Sequence, residues 1–267
     1  MGLRLRLLDG LSRVFRSRLF RCIADGLRRH PWRTLRYIWI VNPFVRATWR
    51  IFSLRINGET FLRDFTEACG EANIAPFLMW GTLLGCIREG GLLKHDRDID
   101  VGILARDWPK RSLLIDAMHR RGYGVKEYYN YQIKFIGRDL LGRLDVDVFF
   151  PWEGKMICCL DYGTGKWGSW FPLDAFNNFR RLTFLGTRVS IPDPPERVLE
   201  TAYGDWRTPI KKFDWRNNPN WLHIAEGETL PKLPKEPFRR KHGRRVKKKL
   251  PKEPFRRKRG RRVKKKR

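Results

Sequence analysis

The chain has 267 residues and a formal charge of +29, from 57 Lys and Arg against 28 Asp and Glu. Residues 1–55 carry +11 and residues 232–267 carry +19, leaving −1 for residues 56–231; this excludes a uniformly basic nucleic-acid-binding domain and assigns the basicity to the two ends. Five cysteines without a Cys-x-x-Cys pair speak against a disulfide framework or a zinc site, and the length suits one catalytic-sized domain with appendages.

Residues 1–55 read as a basic arm with 13 Arg and no Lys. Over residues 3–29 Arg alternates with Leu, Phe, Val and Ile, and Leu7, Leu11, Val14 or Phe15, Arg18 and Arg21 fall at spacings that allow an amphipathic helix. Beyond His30-Pro31, the rings of Trp32, Tyr37, Trp39, Phe44, Trp49 and Phe52 are interleaved with Arg33, Arg36, Arg46 and Arg50. Such a mixture suits an anionic lipid interface, with rings at headgroup depth and guanidinium groups on phosphate. A basic helical layer on the domain and a transit peptide are the alternatives. The longest uncharged run of the arm, Tyr37 to Val45, is far short of the ~20 residues of a spanning helix.

The domain itself is predicted over residues 56–231. A helix is expected from about Glu59, burying Phe61, Leu62, Phe65 and Ala68 and stopping near Gly70. Residues 74–80 read as a buried strand running into a Gly81-Thr82 turn, where Thr82 can cap the next helix and leave its amides facing an anion. Asp96, Asp98 and Asp100 follow at alternate positions. On an extended strand Asp98 and Asp100 share one face while Ile99 and Val101 take the other. Two carboxylates so close repel unless a cation, typically a divalent metal carrying phosphate, sits between them.

Residues 109–121 have the pattern of an amphipathic helix ending at Gly122, and Tyr128–Ile136 and Leu144–Phe150 have strand character on either side of a turn at Gly137–Gly142. In the second, Asp145 and Asp147 share a face opposite Val146 and Val148. A carboxylate in that company is costly unless paired or metal-bound. Gly163–Trp170 reads as a loop, Phe179–Ile191 as a hairpin turning at Gly186, and Glu196–Gly204 as a short helix. An irregular segment carrying Trp206, Trp215 and Trp221 closes the domain. The tail is a tandem copy: residues 233–249 recur at 250–266 with only His242 and Arg259 differing. It is too basic and too poor in apolar residues to fold alone, so disorder is expected, with anionic lipid or nucleic acid as contacts.

Taken together, Trp80-Gly81-Thr82-Leu83-Leu84-Gly85 with Ile87-Arg88, the acidic run Asp96, Asp98, Ile99, Asp100 and the later Asp145-Val146-Asp147-Val148-Phe149 resemble the LicD and fukutin-type phosphotransferases. Trp170-Phe171-Pro172-Leu173, Phe184-Leu185-Gly186, Ile191-Pro192, Leu199 and Tyr203-Gly204-Asp205-Trp206 with Pro209 extend the resemblance, which runs from about residue 60 to 215. Lys94-His95 and Arg97 depart from the family pattern, which often has Pro-Trp and an acid there. The resemblance implies an α+β fold: a nucleotidyltransferase-like mixed sheet flanked by helices. To this the sequence adds a basic N-terminal helical arm (1–55) and a disordered basic C-terminal tail (232–267).

It also implies a reaction: transfer of a phospho-alcohol, phosphocholine or a polyol phosphate, from a CDP-linked donor to a sugar hydroxyl of a cell-surface glycan, with release of CMP. Mg2+, or Mn2+, would neutralise the diphosphate. Asp98 and Asp100 are then expected as metal ligands, Asp147 as third ligand or proton-accepting base, and Asp96 and Asp145 as further participants. Gly81 and Thr82 would seat a phosphate, with Arg88 and Lys134 as additional cations. The expected place of work is the cytoplasmic face of a membrane, held peripherally by the basic ends, or the Golgi in a eukaryote. Nucleic acid is not expected as the physiological partner. The rivals are a nucleotidyltransferase releasing pyrophosphate, a glycosyltransferase with a two-carboxylate metal site, and a nucleic-acid-binding protein whose acids are structural.

Overall fold

The computed structural model describes residues 43–129, 132–139, 141–161, 166–210 and 218–223. The amphipathic helix expected over 3–29 and the tandem tail lie outside them. The first described element, α1 (Pro43–Glu71), starts well before the expected Glu59 and crosses position 55/56 without a break. Proline suits a first helical turn because its φ is preset and its missing N–H would have had no partner there. Phe61, Leu62, Phe65 and Ala68 are buried as expected. In its first half Trp49, Phe52 and Ile56 are exposed beside Thr48, Arg55 and Asn57.

The strand expected over 74–80 contracts to β1 (Phe77–Leu78), because Trp80, with a φ of 49°, turns the chain directly into α2 (Trp80–Glu89). There follow β2 (Ile99–Leu104), a 3-10 turn, α3 (Arg111–Arg120), β3 (Gly124–Tyr129), β4 (Gln132–Ile136) and β5 (Arg143–Trp152). The single strand expected over 128–136 is thus divided between two antiparallel strands, the end of β3 and the whole of β4. The chain continues through β6 (Lys155–Asp161), β7 (Lys166–Pro172), β8 (Phe179–Phe184), β9 (Thr187–Pro192), α4 (Pro195–Tyr203) and β10 (Trp221–His223). Most of the loop expected over 163–170 is therefore strand: β7 is paired on both sides, by β6 and β10, and backbone pairing overrides a Gly- and Trp-rich composition. The β8–β9 hairpin turns on Leu185 and Gly186, both at positive φ, the geometry of a two-residue hairpin loop.

The sheet has ten strands, ordered β10-β7-β6-β5-β2-β1-β9-β8, with β4 on β5 and β3 on β4. β2 with β5 and β1 with β9 run parallel and the other pairs antiparallel. This is the mixed α+β sheet expected. Strand alternation divides its centre: Ile99, Val101, Ile103, Leu144, Val146 and Val148 are buried and join Leu62, Phe65, Leu114 and Met118 of the helices in one core. On the other face the ring pairs Phe77–Phe149, Phe149–Phe171 and Phe171–Phe176 form an aromatic floor. Gly102 lies in it because a Cβ there would stand 2.3 Å from Cε2 of Phe77.

Candidate active site

Beside that aromatic floor the same face becomes acidic. Parallel pairing of β2 and β5 sets Asp100 opposite Asp145 and Gly102 opposite Asp147. Asp98 enters from the bend just before β2, not from the strand itself. Ligand oxygens of Asp98, Asp100 and Asp145 all lie within 4.8 Å of one another. The trio that converges thus contains Asp145, which sequence placed second, while Asp147 stands beside it.

Electrostatics separates these carboxylates. Asp145 is balanced: Arg143 donates from Nε to Oδ1 at 3.2 Å and from Nη2 to Oδ2 at 3.0 Å, and Lys134 Nζ is 3.6 Å from Oδ2. Among the described residues neither Asp98 nor Asp100 has an ion pair. Burial, then Asp145, raises the Asp98 carboxyl above its ordinary range, against Arg143, Arg97 and Arg50. Asp100 is pushed well up by burial and then by Asp98, Asp145, Asp147 and Asp96. A cluster carrying more negative than positive charge in a protected place fits a divalent cation with oxygen ligands.

Asp147 is buried and held on both oxygens, accepting from Trp80 Nε1 at 2.8 Å and Gln132 Nε2 at 2.5 Å. Burial and then Asp145 raise it to about 6 in spite of those donors. Asp96 accepts from the Leu93 amide at 2.9 Å, and burial raises its carboxyl to about 7.

The start of α2 faces the acids. Thr82 does not cap it: the N-cap is Met79 without a side-chain bond, and Thr82 Oγ1 instead accepts from the Asp100 amide at 2.8 Å. Thr82 therefore fixes the helix to the acidic strand, while the first-turn amides have no intrahelical acceptor. A Cβ at Gly81 would sit 3.3 Å from Asp96 Oδ1, so glycine lets the helix start close against the carboxylates. Arg88, expected near a phosphate, is engaged: Nη1 donates to the Trp206 carbonyl at 3.0 Å and Nη2 to Glu89 at 3.1 Å. All nine expected residues except Thr82 line one cavity of about 540 Å³, along with His95.

Sequence reading missed Trp80, Gln132, Arg143, Tyr203 and Asn218 in that cavity. Arg143 had a readable signal, being two residues from Asp145 on one strand face. Trp80 and Gln132 had none, since register alone brings them to Asp147.

A helix start set against acids on neighbouring strands of a mixed sheet is the layout of a nucleotidyltransferase-type domain. Residues 73–194, a little under half of the chain, match the family model described as LicD/FKTN/FKRP, nucleotidyltransferase domain, which supports membership of the LicD family. It is 25% identical over 175 residues to ribitol-5-phosphate transferase FKTN of Homo sapiens, covering 62% of this chain and 37% of that one. The Mus musculus protein of the same name is 28% identical over 170 residues, with coverage of 62% and 36%. The chain thus spans little more than a third of these curated relatives. An uncharacterized protein of Rickettsia typhi is 24% identical over 213 residues, covering 78% of this chain and 62% of that one. A crystal structure of ANT(2")-Ia in complex with adenylyl-2"-tobramycin aligns at a TM-score of 0.37 and 17% identity over 53% of this chain and 72% of that one.

Proposed function

We propose that the protein is a metal-dependent phosphotransferase of the LicD type. It moves a phospho-alcohol, a polyol phosphate or phosphocholine, from a CDP-linked donor to a sugar hydroxyl of a cell-surface glycan and releases CMP. The acceptor oxygen forms the new P–O bond as the bond to the CMP oxygen breaks. The observation that carries this reading is the convergence of Asp98, Asp100 and Asp145 at the start of α2, the first two without an ion pair among the described residues, inside the matched domain.

Asp98, Asp100 and Asp145 are the residues to hold Mg2+ or Mn2+. When bound, such an ion withdraws charge from phosphate oxygens and stabilises the charge of the transition state. Asp147, fixed by Trp80 and Gln132, is placed to take the proton of the acceptor hydroxyl. Arg143 and Lys134 hold Asp145 in place and offer positive charge to the donor phosphates. The free amide of Gly81, at the helix start that lines the cavity, is the anion seat. The basic ends hold the enzyme peripherally on an anionic membrane surface, on the cytoplasmic side or in the Golgi of a eukaryote.

The test is a donor screen with Mg2+: CDP-ribitol, CDP-glycerol, CDP-choline and CTP, each with a sugar acceptor. CMP release from a CDP-alcohol is the expected result. Pyrophosphate release from CTP with all CDP-alcohols inert would overturn the reading in favour of a nucleotidyltransferase.

A further inference from the structure

Buried polar atoms are almost always hydrogen-bonded in a folded chain, so those that are not point to a partner still to come. Three such side-chain atoms belong to residues lining the cavity and have no partner among the described residues: Arg88 Nε, Trp206 Nε1 and Asn218 Oδ1. Trp206 is 7% exposed and Asn218 9%. A fourth, Asn220 Oδ1, is outside the cavity lining, and its amide nitrogen already bonds the Trp170 carbonyl at 3.1 Å.

Position and charge decide which part of a substrate these atoms meet. Arg88 lies about two helical turns beyond Gly81 on α2, roughly 10 Å along the helix axis from that residue, and it is fastened to the Trp206 carbonyl. Its charge is matched by Glu89 at 3.1 Å. The unmatched atoms of the cavity lining are thus two N–H donors and one carbonyl acceptor, in a cavity that Tyr203 and Trp221 line with aromatic surface and Asp205 with a further acid. A second phosphate would need spare positive charge. A planar, uncharged heterocycle with acceptors and a donor on its edge needs what is present, and a nucleoside diphosphate with its phosphates at the carboxylates reaches about that far.

We infer that Trp206, Asn218 and Arg88 form the base subsite of the site, where they hydrogen-bond the edge of the pyrimidine of the donor nucleotide. The inference rests on the reading of the site as a nucleotide-donor transferase. It makes Trp206 and Asn218 specificity residues, distinct from the carboxylates that handle phosphate.

The test is calorimetric titration of the full chain in Mg2+ with CDP and with methyl diphosphate, which lacks the base. Trp206→Phe, which keeps the ring and removes only the N–H, and Asn218→Ala are each expected to weaken CDP about tenfold and to leave methyl diphosphate unchanged. Thermal melts confirm that the variants fold. Wild-type protein that binds neither probe sinks the transferase reading and this one with it. CDP binding that both variants retain, or an equal loss of CDP and methyl diphosphate, overturns the base subsite alone.

Discussion

At Asp100, burial and four neighbouring carboxylates all act against the charged form. Asp100→Asn is therefore expected to separate activity from stability. Turnover should fall on the order of 10²–10³-fold, as when a charge-stabilising group is lost, while the melting temperature stays level or rises by a few degrees because a repulsion is gone. A CMP-release assay beside a thermal melt measures both, and a large drop in melting temperature would contradict the electrostatic account. Trp80→Phe probes the neighbouring group by a different route. It keeps an aromatic ring against Phe171 but removes the donor to Asp147, so kcat should fall with little change in donor KM.

At the scale of elements, α1 is tied to the β4–β5 turn through Asp139. Its carboxylate accepts from Ser53 and Asn57 on the helix and from the Leu141 and Gly142 amides of the turn. Burial pushes the Asp139 carboxyl up, but these donors together outweigh it and hold it below the ordinary value. A lowered carboxylate contributes stability that is complete above the unfolded value, near pH 4, and disappears as pH falls through the folded one. Asp139→Asn should thus cost about 1 kcal/mol at pH 7, a figure kept small for an exposed group, and progressively less as pH falls below about 4, as read by urea unfolding. Gly102→Ala tests the floor under the acids: its Cβ would meet Phe77 at 2.3 Å and Phe149 at 2.8 Å. An overpacking cost of about 1–3 kcal/mol is expected.

These elements also show what could be read from sequence. The two acidic strand patterns, the α1 core face, the Gly186 hairpin and the helix ending at Gly204 were legible because each is written in local periodicity and turn chemistry. The choice between Asp145 and Asp147 was not. Both lie on the same face of β5, and only the parallel register with β2 sets Asp145 against Asp100. Thr82 was misread for the same reason: its hydroxyl looked available to its own helix, and a distant backbone amide took it. The start of α1 at Pro43 was hidden by a change in composition that proved not to be a structural boundary.

For the whole molecule the division of charge yields a separable prediction. Deleting residues 232–267 removes +19 yet leaves the described acidic cluster untouched, so turnover on a soluble acceptor should be unchanged. Pelleting with anionic vesicles should weaken, and more steeply as salt rises. Turnover that falls with the tail would show that the tail takes part in catalysis. The pairing of β2 with β5 has a consequence of another kind, in folding kinetics. This parallel pair closes only after a long crossover through α3 and the β3–β4 hairpin, which makes it a slow, non-local event. The same step brings Asp100 against Asp145, so the chain must zip up its centre against like charge, a local conflict of the sort that roughens a folding landscape. Divalent cations in the refolding buffer should therefore accelerate the final phase seen by stopped-flow fluorescence, and Asp100→Asn should refold fast without them.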